Sequence, residues 1–149
     1  MLTELKTVAS TLGITLVILE SDKTIENQVN RIARVEDMPL ALVTWDLTTS
    51  LEFDESGFLK NPTTDITMLL MTKADTLERS ELEASAEEMG KLFIQYIKAV
   101  KTYLTANTNV KQNPITGISF TYVPSFSASK HSGVLATFKI QENLEENAC

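Results

Sequence analysis

The chain has 149 residues, 43% apolar and 22% charged, proportions that suit one folded domain over residues 1–149 and exclude general disorder or a fibrous repeat. Twenty acidic against 13 basic residues give a net charge of -7, and the only arginines are Arg31, Arg34 and Arg79, so no basic face is available to grip nucleic acid or anionic lipid. A single cysteine, Cys149, excludes an internal disulfide, and the apolar runs are far too short to span a membrane.

The N-terminal stretch MLTELKTVASTLG lacks a basic region followed by an apolar run, so it does not read as a signal peptide, and a reducing, cytoplasmic setting is expected. Leu2, Leu5, Val8, Ala9 and Leu12 recur at helical spacing and predict a short helix over 2–12 that Gly13 ends. The β-branched run 14–20 predicts a strand. Ile25, Val29, Ile32 and Val35 predict a second helix over 25–36, with Pro39 as its outer limit. Residues 40–48 predict a strand with Ala41, Val43, Trp45 and Leu47 on one face and Leu40 and Leu42 opening the other.

The segment 49–63 combines acids, Gly57 and an Asn61-Pro62 turn with Leu51, Phe53, Phe58 and Leu59, and is expected to form a hairpin arm. Residues 64–73 are apolar on both faces in the middle, as a central strand requires. The clearest signal is a long amphipathic helix over 76–106, where Leu82, Ala86, Met89, Phe93, Tyr96, Ile97, Val100 and Leu104 keep steps of three and four. Ser80 with Glu83, or Asp75 with Glu78, has capping-box spacing, and acids early with lysines late complement the helix dipole. Gly90 costs about 1 kcal/mol relative to Ala in a helix, which predicts close approach to a neighbouring strand or subunit.

Two alternating runs, 115–123 and 133–141, predict an antiparallel pair joined by the Ser-rich loop PSFSASKHS, and the acidic tail 141–149 is expected to fray. The expected fold class is therefore α+β: an antiparallel or mixed sheet of four to five strands against one long helix, with short N-terminal helices.

Sites of chemistry are scarce. His131, the only histidine, falls in the Ser-rich loop; a triad with Ser127 lacks a nucleophile elbow, and a solvated loop histidine is the favoured reading. Asp54 and Glu55 come closest to a hard-cation site, yet no ladder of ligands continues from them, so they read as exposed loop charges. The 5 glycines form no phosphate cradle. Met68, Met71, Met89 and Trp45 read as core filling. No catalytic, cofactor-binding or metal residue is assigned, and no enzymatic activity is expected.

In element order, and in the segments TDITMLLMTKAD (64–75), the long helix and GVLATFKI (133–140), the chain from Leu2 to Ile140 resembles the tail terminator and related neck proteins of tailed bacteriophages. The resemblance implies a structural virion subunit, assembled in the host cytoplasm, that forms a closed ring, commonly a hexamer. Such a ring caps the tail tube, joins it to the head connector beside other neck and tail proteins, and lets DNA pass without holding it. The arm 49–63 and the loop 124–132 are then the contacts with neighbouring proteins, through Phe53, Phe58, Phe126, Lys130 and His131. The competing expectation is a small ligand-binding or protein-interaction module, with the long helix closing over a curved sheet to leave an apolar pocket.

Overall fold

Helical periodicity at the N-terminus gives α1 (Leu2–Thr11), whose Leu5, Val8 and Ala9 are buried. In the computed structural model, which describes residues 2–19, 38–44, 48–60, 62–74, 76–107, 114–125 and 131–141, this helix ends as its sequence dictates. Gly13 takes φ +72°, the Ile14 N–H donates to the Ala9 carbonyl at 2.9 Å, and the Gly13 N–H donates to the Ser10 carbonyl at 3.1 Å. This is a Schellman closure, with Ile14 and Ala9 both in the core.

The chain then enters β1 (Thr15–Leu19), which pairs in parallel with β2 (Leu40–Thr44). Next come β3 (Thr48–Ser50), β4 (Thr63–Lys73), α2 (Arg79–Asn107), β5 (Ile115–Val123) and β6 (His131–Gln141). The mixed, six-stranded sheet runs β1-β2-β4-β6-β5, with β3 paired to β4, and every pair except β1–β2 is antiparallel. The fold is α+β, as expected, with more strands than anticipated. Of the strand expected over 40–48, β2 covers Leu40–Thr44 and β3 begins at Thr48, with residues 45–47 outside the described residues. β2 takes Met68–Met71 of β4 and β3 takes Thr63–Asp65, so one alternating sequence serves two separate stretches of the same partner. The helix expected over 25–36, together with Trp45, Leu47, Phe126, Lys130 and residues 142–149, lies outside the described residues.

One face of the sheet packs against both helices. Ala41, Val43, Ile66, Met68, Leu70, Val134, Ala136 and Phe138 meet Phe93, Tyr96, Ile97 and Val100 of α2 and Leu5 and Val8 of α1 in one apolar core. Phe93 anchors it, with its ring centroid 5.5 Å from Phe120 and 6.1 Å from Phe138. The Tyr96 hydroxyl donates to the Leu5 carbonyl at 3.1 Å, tying α1 to α2, and burial pushes that phenol well above its usual pKa. On the reverse face Leu40, Leu42, Leu69 and Met71 form a second buried cluster, so the β2–β4 centre is apolar on both sides, as its sequence foretold.

Two details of α2 differ from expectation. It starts at Arg79, after Glu78, whose carbonyl accepts the Leu82 N–H at 3.0 Å, and Thr76 orders the approach by accepting the Glu78 N–H at 3.2 Å and donating to Glu81 at 2.8 Å. Glu83 closes no box with Ser80, because it is held by Arg79 at 2.8 Å in an i,i+4 ion pair. Gly90 behaves as predicted: a Cβ there would lie 2.7 Å from the Tyr122 ring of β5. β5 also carries an unforeseen bulge. Thr116 faces Lys139 and Ser119 faces Thr137, which leaves one extra residue at Gly117, whose φ is +60°. Ile118 lies in that bulge and is 46% exposed, so strict alternation with Phe120 fails there.

Candidate functional site

The segment between β3 and β4 folds back on itself as a hairpin arm. Phe53 bridges Leu59, and the Lys60 N–H donates to the Glu52 carbonyl at 2.8 Å. Asp54 organises the turn: its Oδ1 accepts the N–H groups of Ser56 and Phe58, each at 2.9 Å, while its own N–H donates to the Phe58 carbonyl at 2.8 Å. Gly57 completes it at φ +86°, a conformation that L side chains rarely adopt. The Asp54 carboxylate, considered above only as a loop charge or an unsupported cation ligand, is thus the acceptor that fixes the arm's tip.

What the turn presents is apolar. Leu51, Phe53, Phe58 and Leu59 are 64%, 70%, 71% and 44% exposed. Taken with the usual size of such side chains, they leave on the order of 400 Å² of apolar surface in water over the two faces of the arm, within the range of about 300–600 Å² for the largest patch of an ordinary monomer, which is often functional. Phe53 and Phe58, expected as interface residues, are both exposed on this one arm, Phe53 on the face of Leu59 and Phe58 on the other. Leu51 and Leu59 join them.

His131 is placed differently from expectation. It opens β6 opposite Lys73 and is only 9% exposed, so it is neither a loop residue nor solvated. Burial, followed by the nearby Lys73 charge, lowers its pKa below the usual value. Its neighbour Ser132 is fully buried, and the Ser132 hydroxyl has no hydrogen-bond partner among the described residues. Phe126, Lys130 and Ser127 lie outside the described residues. Among the described residues no group of three or more His, Cys, Asp or Glu side chains gathers where a metal could be held, and no helix is long and apolar enough to cross a membrane. Met68, Met71 and Met89 are buried, as core filling requires.

A second surface was not visible in the sequence. Thr7, Val8 and Thr11 of α1 and Ala99, Thr102 and Tyr103 of α2 line an open groove of about 530 Å³, with Lys98 on its margin. The groove continues along α2 past Lys101 and Thr105. Its one sequence signal is charge: α2 carries no acid after Glu88, whereas Lys91, Lys98 and Lys101 follow. No family model matches this chain, and no curated protein matches its sequence.

Proposed function

We propose that this chain is a structural subunit of a tailed-phage particle, a ring-forming tail terminator or neck protein that joins the tail tube to the head connector. The observation that carries this reading is the exposed apolar arm, because two phenylalanines and two leucines in water at one hairpin give apolar surface of the size that on folded chains is often functional. A ring of identical subunits supplies such a surface repeatedly, and each copy then contributes surfaces instead of a catalytic step. The acidic balance suits a channel through which DNA slides, since negative charge toward the lumen repels phosphate.

The competing ligand-binding module needs an apolar pocket between the long helix and the sheet. That layer is filled by Phe93, Phe138, Ile66 and Val134, all buried. Assembly is therefore the better-supported function. Light scattering on the eluting protein, with negative-stain imaging of the peak, tests it: a closed ring is expected, and a particle that stays monomeric at high micromolar concentration would rule the ring subunit out.

A further inference from the structure

We infer that the arm of one copy seats in the α1–α2 groove of a second copy, so that Phe53 and Phe58 fill the groove while the acids of the arm meet its lysines. This contact deepens the ring-subunit reading and rests on it. The two surfaces complement each other in three respects.

The first is vacancy within one chain. Phe53 and Phe58 are 70% and 71% exposed, so the arm does not enter its own groove. The second is shape and polarity. The arm is a hairpin whose turn is fixed by Asp54, and the groove is a concavity of about 530 Å³ lined by Val8, Ala99, Tyr103 and threonines, large enough to receive aromatic side chains. The third is charge. Residues 51–60 hold Glu52, Asp54 and Glu55 against Lys60 alone, while Lys98 and Lys101 border the groove and its continuation and α1 adds one charge of each sign, Glu4 and Lys6. In a chain of net charge -7, this helix half offers lysines without acids beside them, a surface that suits an acidic arm.

Because the knob and the groove are different surfaces, their pairing is heterologous, and repetition around an axis closes a ring if the rotation permits. A reciprocal exchange of arms across a twofold axis uses the same contact and gives a dimer instead.

Sedimentation velocity on four chains tests the contact, with circular dichroism confirming that each is folded. Phe53→Ser with Phe58→Ser removes the knob outside the core and is expected to weaken self-association roughly 30-fold or more, the loss typical of interface aromatic anchors. Lys98→Glu with Lys101→Glu is expected to weaken it roughly 10-fold by facing acid with acid. Adding Glu52→Lys and Glu55→Lys to that second chain restores opposite charges and is expected to recover association to within about three-fold of the wild type. Asp54 is left intact because it holds the turn. Wild-type assembly that is unchanged by the first two variants, or not recovered by the charge exchange, would overturn the arm–groove contact and leave the ring standing. A wild-type dimer with the expected variant responses would support the contact and overturn the ring, and a wild-type monomer would remove both.

Discussion

At Gly133 a single methyl group decides whether two strands can pair. A Cβ built there would overlap the Leu70 carbonyl oxygen and come 2.7 Å from the Met71 Cα, and backbone paired in the β4–β6 ladder cannot step aside. Gly133→Ala is therefore expected to destabilise the fold by about 3 kcal/mol, at the upper end of ordinary overpacking, as read from urea denaturation. Gly90→Ala meets a different neighbour. The clash is with the Tyr122 ring, which is 49% exposed and free to swing outward, so a helix-propensity gain of about 1 kcal/mol offsets the loss of a Phe120–Tyr122 edge contact of similar size. Its expected net effect is within about 1 kcal/mol of zero. Two residues before Gly133, His131 gives the residue scale a pH dependence. Its pKa is lowered in the folded state, so between the unfolded value near 6.5 and the lower folded one the unfolded chain binds more protons. Stability is thus expected to fall as pH drops from about 7 through 6 and into the range below. Thermal melts should show a shallower slope there for His131→Asn, and an equal slope in both proteins would exclude His131 as its source.

Among the elements, α2 organises the rest, and Phe93 is where its packing concentrates. With the ring buried against Phe120 and Phe138, Phe93→Ala is expected to cost roughly 3–5 kcal/mol, and a melt within a degree or two of wild type would contradict its place in the core. This helix was legible because a period of 3.6 sustained over many turns is a local signal that no short strand can imitate. β5 and the arm were legible for related reasons: the alternation of Ile118, Phe120 and Tyr122 with Ser119 and Thr121, and the glycine and acids that turn the chain between Phe53 and Phe58. The elements that escaped depend on distant partners. β3 exists because three residues of β4 are free on one flank to receive it, and His131 becomes a strand residue because pairing extends as far as Lys73. The groove joins Thr7 to Thr102, and nothing in either local sequence announces the other. Gly117 could have signalled its bulge, since an isolated glycine within an alternating strand often marks one.

For the molecule as a whole, charge and exposed apolar surface make different demands, and their combination narrows what the protein can do. A net charge of -7 keeps copies apart in solution through long-range repulsion, while the arm offers a short-range apolar gain that acts only on contact. Added salt screens the repulsion between copies and also the attraction between an acidic arm and the lysines of α2. Assembly that weakened steadily with salt would identify the local attraction as dominant, and assembly that strengthened would identify the apolar contact. The same balance bears on DNA. Nonspecific binders hold duplex DNA with dissociation constants of roughly 1–100 μM at physiological salt by neutralising phosphates with clustered Lys and Arg. Here the acid-free half of α2 is the main basic stretch of the helix, and its lysines border the groove proposed to receive the arm. Fluorescence anisotropy with a short labelled duplex should therefore show no binding below about 100 μM at physiological salt, for the assembled protein and for the Phe53→Ser, Phe58→Ser chain alike. Binding at 10 μM or tighter by the assembled form would show a surface that grips DNA, which is incompatible with a channel that lets it slide.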